Sequence, residues 1–329
     1  MEFKKILDGE LPAYDQLVDN SSEGTIFHKS WWLHSFSEYF GKTHNIEIIG
    51  AFENDNLVAA LPIPIGNFFQ IRYIRNIKLT PYLGPIFMKT KKNKINEFSW
   101  KKEINGKFCQ FLKQYGLCLY YPFGPSHLDL QPYKWCGFNV DVNYTYILDI
   151  RNLDRIWNNM DKKRRTDINN GLKANFEIQY DNLQDFIQLY SETMKRQRHT
   201  IIPEKHWEYL FEASKQNHCC KIFTAYKSGK RLASIVIVWD NKRAYYIGGG
   251  ISENSQSAMS FLIWEAIKYT KTILKLDEFD FEGSDIKTIE FYFRKFGGSI
   301  QPFYSIKTNS VTIFMAYGIY RVIKPYFEF

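Results

Sequence analysis

LDEFDFEGSDIKTIEFYFRKFGGSI, residues 276–300, is the stretch whose reading decides the fold. Over Glu278–Glu282 the side chains alternate. Phe279 and Phe281 go to one face, Asp280 and Glu282 to the other, because strand side chains repeat every two residues. Gly283 and Ser284 end that strand. Ile289, Tyr292 and Phe293 then fall at helical spacing, and Gly297 with Gly298 offers the left-handed residue that stops a helix. A strand thus brings two carboxylates to a turn, and a short helix brings Arg294 and Lys295 beside it. A candidate base and candidate donors to an oxyanion or a phosphate meet at one strand end. The same spacing also describes a solvated strand face followed by basic residues that suit a helix C-terminus.

Upstream, Lys221–Tyr226 and Arg231–Trp239 read as a hairpin turning at Lys227-Ser228-Gly229-Lys230. Ala244–Gly249 is the next strand. The polar loop Ser252–Ser257 leads into a helix over Ala258–Leu274, with Met259, Ile263, Ala266, Ile267 and Ile273 on its buried stripe. Asn152 or Asp154 opens a helix whose apolar stripe runs from Leu153 to Ile168, with Lys162, Lys163, Arg164 and Arg165 on its exposed side. The helix Leu183–Gln197 closes on Lys195, Arg196, Arg198 and His199, and Pro203 starts another. Two basic clusters of this kind suit a phosphate, and equally describe solvated helix faces.

The first half is read as the helices Leu11–Val18 and Trp31–Phe40, the latter capped by Ser30 and ended by Gly41. A hairpin follows, Ile46–Phe52 with Leu57–Ile65, then a strand Ile71–Ile77. The lysine-rich Lys89–Lys102 is expected as a solvated connection, before a short helix Gly106–Tyr115 and a buried strand Leu117–Phe123. Trp135–Ile150 carries the chain into the second half. The apolar, aromatic tail Val311–Phe329 either packs on the body or lies on a membrane surface.

The halves repeat each other. AFENDNLVAA (51–60) is set out like AYKSGKRLAS (225–234), YPFGPS (121–126) like DFEGSD (280–285), and KWCGF (134–138) like RKFGG (294–298). The first copy has Tyr121 and Phe123 where the second has Asp280 and Glu282, and Trp135 where it has Lys295. Copy two is therefore the candidate reactive half. Copy one keeps the turn glycines and would build part of a substrate cleft.

Bulk numbers limit the classes. A chain of 329 residues with 17% aromatic content supports one large or two ordinary domains and no long disordered span. The net charge of +8 suits an anionic partner: a nucleotide, a phosphate, RNA or a membrane surface. DNA is not expected. Five cysteines without a C-x-x-C spacing point to reduced cytosolic thiols and give neither a disulfide framework nor a metal site. No apolar run of spanning length and no signal core is present, so the expectation is a cytoplasmic protein, either free or peripheral at the inner membrane face.

DFEGSD and FRKFGG resemble the C-terminal signature of the FemAB-like branch of the GNAT acyltransferase superfamily. YTYILDI (144–150) with the KKRR helix after it, and FHKSWW near the start, are similar to the same family, and the likeness spreads over residues 25–305. It implies a mixed α/β fold of two tandem GNAT-like halves, each a twisted mixed sheet flanked by helices, dividing as 1–150 and 151–329. It also implies transfer of an acyl or aminoacyl group to an amine or hydroxyl of a cell-envelope, peptidoglycan or polysaccharide precursor. Under it Lys295 stabilises an oxyanion or phosphate, and Glu282 or Asp280 orients or deprotonates the acceptor. Arg164, Arg165, Arg294, Gln256, Ser257 and Ser284 contact substrate or phosphate. The donor is acyl-CoA, acetyl-CoA for instance, or an aminoacyl-tRNA, with no metal. The sequence departs from the family at Gly248–Ser260, which has Gln256 but lacks the glycines of the R/Q-x-x-G-x-G/A phosphate cradle. The long helical hairpin that assists tRNA binding in some members is not evident either. A non-catalytic binding protein on this scaffold and a membrane-surface protein are the readings from other classes.

Overall fold

The computed structural model describes residues 1–40, 44–68, 71–283 and 286–308, and in it the chain forms two compact units. The first comprises Met1–Val142 and takes up the chain again from Phe303; the second is Asn143–Pro302. The expected division at 150/151 falls at the end of a strand. The units divide within that strand, because its C-terminal part, Ile147–Asp149, pairs with Glu278–Asp280 of the second unit.

Unit 1 opens with β1 (Glu2–Lys5), α1 (Leu11–Asn20) and α2 (Ser30–Phe40). The hairpin β2 (His44–Glu53) and β3 (Asn56–Phe68) follows, turning through Asn54 and Asp55 at φ 48° and 63°, two residue types that tolerate the left-handed region. Then come β4 (Ile71–Arg75), β5 (Ile86–Phe87), α3 (Lys94–Gln114), β6 (Leu117–Pro122), α4 (Gln131–Trp135) and β7 (Phe138–Asp149), which runs on into unit 2. The lysine-rich connection is a correction: from Lys94 it is the first half of α3. Asn93 caps that helix by accepting from the Asn96 amide, and Trp100, Ile104, Phe108 and Leu112 make a buried stripe at every fourth residue. The lysines are that helix's outer face.

Unit 2 has α5 (Leu153–Asn159), α6 (Lys162–Lys173), β8 (Glu177–Tyr180), α7 (Leu183–Gln197), α8 (Glu204–Gln216), the hairpin β9 (Cys220–Lys227) and β10 (Lys230–Trp239), and β11 (Arg243–Ile251). It continues with α9 (Gln256–Thr272), β12 (Glu278–Asp280) and α10 (Lys287–Arg294), and β13 (Ser299–Thr308) returns to unit 1. The single helix expected from Asn152 to Ile168 is two, because Asp161 leaves the helical region and accepts from the Lys163 amide to start α6. β8 and β13 have no counterpart in the sequence reading. Gly41 and the tail 311–329 lie outside the described residues.

Both units follow one strand plan. In unit 1, β2, β3 and β4 are antiparallel neighbours, and β6 then joins β4 in parallel after the α3 crossover. In unit 2, β9, β10 and β11 are antiparallel, and β12 joins β11 in parallel after α9. The free side of β6 takes β13 antiparallel, with Tyr121 opposite Ile306; that of β12 takes β7 antiparallel, with Asp280 opposite Ile147. The core of unit 2 lies under α9, where Ala258, Leu262, Ile263, Ala266 and Ile267 meet Ile235 and Ile237 of β10 and Phe279 and Phe281.

Candidate active site

β11 and β12 pair over three positions only: Arg243 with Glu278, Ala244 with Phe279, Tyr245 with Asp280. There β12 ends, while β11 continues to Ile251 paired with β10 alone. Two parallel strands that part in this way leave a wedge open at their C-terminal ends, the place where α/β sheets take ligands. One wall is Tyr246–Ile251 and the other the turn after Asp280. The strand expected over Glu278–Glu282 is therefore shorter, and its alternation does not separate a dry face from a wet one. Phe279, Asp280 and Phe281 are all buried.

Asp280 is fully buried. Its carboxylate accepts from Thr145 Oγ1 at 2.7 Å and from the Glu282 amide at 2.8 Å, and lies 3.5 Å from Arg243 Nη1. Both carboxylate oxygens are engaged, so Asp280 acts on the shape of the turn. Glu282 itself sits at φ 59°, a costly conformation for a residue with a Cβ, which the Asp280 bond to its amide holds in place. Its Oε1 is buried and has no partner among the described residues. Burial, reinforced by the neighbouring Asp280 charge, pushes the Glu282 carboxyl well above the usual carboxylate range. Ser284 lies outside the described residues.

The N-terminus of α9 follows the end of β11. Asn254 takes the left-handed conformation at φ 58°, so this loop makes its turn without a glycine. Ser255, the N-cap, has its hydroxyl engaged with Ser252 at 2.7 Å, and the first helical amides, at Gln256 and Ser257, have no intrahelical acceptor. Gln256 is exposed and Ser257 half-buried. Thr193 Oγ1 fastens α7 to the end of β11, accepting from the Ile251 amide at 2.8 Å, and Arg196 donates to the Ile251 carbonyl. Of the second basic cluster, Arg196 is thus the member brought to this loop.

Arg164 is a correction. It is not on the exposed side of its helix but 4% exposed, stacked 3.7 Å from the centre of the Tyr292 ring and bonded to Ser260 Oγ of α9 and to Asp167 at 3.2 Å. It ties α6, α9 and α10 together. Arg165 donates to the carbonyls of Trp157 and Asn158 at the end of α5, 3.3 and 3.1 Å away. Lys295 lies at the α5–α6 junction, its Nζ 3.8 Å from Asp161 and 4.2 Å from the centre of the Phe291 ring. Arg294 is paired at 3.5 Å with Glu290, which also accepts from Tyr146. No hydrogen bond or ion pair joins Lys295 to Asp280 or Glu282 among the described residues.

Sequence reasoning missed Tyr246. Its phenol reaches within 4.0 Å of Met259 Sδ and occupies the space a Cβ on Gly249 would need, so the middle glycine of the GGG after YYI makes room for that ring. It also missed Thr145 and Arg243, the partners of Asp280, for which no local signal exists.

Residues 158–294 match the family model described as an acetyltransferase (GNAT) domain. Among solved structures the fold matches FemX at a TM-score of 0.68 and 13% identity, over 92% of this chain and 97% of that one. It matches the C-terminal domain of a candidate lysylphosphatidylglycerol synthetase from Agrobacterium fabrum at 0.59 and 10%, over 96% of each chain. A tandem GNAT protein from the clavulanic acid biosynthesis pathway matches at 0.52 and 9%, over 94% of this chain and 99% of that one. No curated protein matches in sequence. Residues 158–294 thus match a GNAT domain, and the chain shares its fold with a tandem GNAT protein. The domain match supports an acyltransferase, and these neighbours, at 9–13% identity, show a shared fold.

Proposed function

We propose that the chain transfers an acyl group from acyl-CoA to an amine or hydroxyl of a cell-envelope or polysaccharide precursor, working at the cytoplasmic face of the membrane. Glu282 carries this reading. A half-buried carboxyl with a buried, unpaired oxygen and a raised proton affinity is suited, once ionised, to take a proton from an attacking amine or hydroxyl. Asp280 is the positioning residue that fixes its backbone. When bound, acyl-CoA would supply the activated acyl group. The residues that would hold it are the opening amides of α9 at Gln256 and Ser257, with Arg196 at the adjoining strand end. Asn254 turns the chain into α9 without a glycine. Lys295, whose nearest carboxylate is 3.8 Å away, can turn to a phosphate or a developing oxyanion.

An aminoacyl-tRNA donor is the second reading, favoured by the missing cradle glycines and by the net charge of +8. The test is calorimetry of acetyl-CoA against the protein, followed by transfer to a panel of amino sugars and muropeptides. Micromolar binding with turnover that falls in Glu282→Gln and Lys295→Ala supports the proposal. Turnover untouched by both substitutions rejects the assignment, and no binding moves the donor to charged tRNA.

A further inference from the structure

Unit 1 carries a surface that the proposed reaction does not use. The later turns of α3 bury their apolar stripe, but its first turns hold theirs out: Ile95 is 77% exposed and Phe98 45%. Leu128 is 79% exposed and Trp135 69%. Phe98 and Leu128 border one cleft of about 250 Å³ together with Lys94 and Lys102. Ile95 lies three residues before Phe98 on α3 and so shares its face, and the Trp135 ring lies 4.8 Å from the Lys102 ammonium. Four large apolar side chains therefore stand on one face.

The charges around them are unequal. Lys101 and Lys102 are consumed internally, by Glu23 and Glu97 and by Asp129, at 2.9–3.0 Å. Lys89, Lys91, Lys92 and Lys94 are exposed, and none makes an ion pair among the described residues. The acidic groups at the cleft are thus already neutralised, while the segment before α3 presents ammonium groups without ion partners beside the apolar side chains.

Single exposed apolar residues are ordinary; a cluster bordered by unpaired lysines is not. Apolar side chains entering the acyl boundary, with ammonium groups at phosphate depth, are what an interfacial surface requires. We propose that this face of unit 1 docks on an anionic lipid bilayer. RNA would also attract the lysines, but Ile95 and Leu128 have no ring to stack on a base and gain nothing against a polyphosphate backbone. The inference needs no turnover and stands or falls apart from the reaction proposed above.

The experiment is flotation of the full chain with vesicles of phosphatidylcholine alone or with phosphatidylglycerol added. The expected result is flotation with the anionic vesicles only, weakening as salt rises. Ile95→Ser/Phe98→Ser/Leu128→Ser should lower the partition roughly tenfold or more. Lys91→Gln/Lys92→Gln should lower it about 25-fold, at about fivefold per lysine. All five sites are exposed, so unchanged unfolding midpoints show that the variants fold. Any of three results overturns the proposal: no flotation of the unaltered chain, equal flotation with neutral vesicles, or variants that float like the parent, which would assign binding to another part of the chain. Retention of tRNA that the lysine substitutions abolish, without flotation, would give the face to RNA instead.

Discussion

Replacing Glu282 by Gln should make the protein more stable and less active at once. The wild-type carboxyl loses solvent on folding and gains no partner for Oε1 among the described residues. Its folded proton affinity is raised, and its unfolded value lies near the ordinary 4.5. The sign follows from linkage. Below about 4.5 both states hold the proton and the carboxyl costs little. As pH rises the unfolded chain releases its proton while the folded one keeps it, so wild-type stability falls until the folded value is reached. An amide cannot ionise, so the advantage of the Glu282→Gln variant should open over that window. Each tenfold separation of the two equilibria is worth about 1.4 kcal/mol, and a buried polar group without a partner costs about 1–3 kcal/mol. Gln keeps a polar atom in the same unpaired place, so the gain comes from ionisation alone. The Glu282→Gln substitution should stabilise unit 2 by about 1.4 kcal/mol for each tenfold separation, only above about pH 4.5, with kcat lower by about 10²–10⁴. Denaturant unfolding at about pH 4 and about pH 8, with turnover on the same preparations, reads both. A stability difference independent of pH would refute the buried, raised carboxyl, and an unchanged kcat would refute its role as base.

Other substitutions separate scaffold from chemistry. Asp280→Ala leaves Arg243 and the Glu282 amide without their buried acceptor and should cost about 3–5 kcal/mol in denaturant unfolding. Arg164→Lys loses the stack on Tyr292 and should destabilise by about 1–2 kcal/mol with KM unchanged, since the guanidinium faces protein; a raised KM with unaltered stability would return Arg164 to phosphate binding. At Gly250 a Cβ would stand 2.2 Å from the backbone of Leu189 and Tyr190, so Gly250→Ala should push α7 off β11 and cost about 1–3 kcal/mol or more by thermal unfolding. In unit 1, burial pushes the Glu23 carboxyl up, but His127 and Lys101 draw it below its ordinary 4.5. Its contribution is therefore present above 4.5 and lost as pH falls through the lower folded value. Glu23→Gln should flatten the acid limb of the stability curve.

The strand plan is legible in the sequence because hairpins announce themselves locally. Asn54-Asp55 and Ser228-Gly229 are turn chemistry between apolar runs, and both hairpins form at those turns. A cap and a periodic stripe give α7 the bounds it has. What fails are readings of charge. Lysines disguise the buried every-fourth-residue stripe of α3, and an arginine inside KKRR passes for solvent-facing although an aromatic ring from α10 covers it. Neither partner is close in sequence. The same holds for Asp280, whose occupants come from β7 and β11. Residue type and spacing nominate the two carboxylates; only long-range packing separates the one that is fully paired from the one that is not.

The internal repeat argues that this separation serves chemistry rather than folding. The pairings make β6 and β12 equivalent, and the repeat aligns Tyr121 with Asp280: each strand follows a helical crossover in parallel and then takes an antiparallel partner. In unit 1 the phenol of Tyr121 donates to the Pro62 carbonyl at 2.7 Å, and Phe123 packs on Tyr133 with ring centres 4.8 Å apart. Both are fully buried, so the same strand-to-turn passage closes with aromatic side chains and no buried charge. Unit 2 puts a carboxylate at each place, surrounds one with Thr145 and Arg243, and leaves the other with a left-handed backbone and a bare oxygen. Unit 1 demonstrates that the turn does not need either charge. A carboxyl kept at a position where the fold has an apolar solution supports the proposal that Glu282 acts on a ligand.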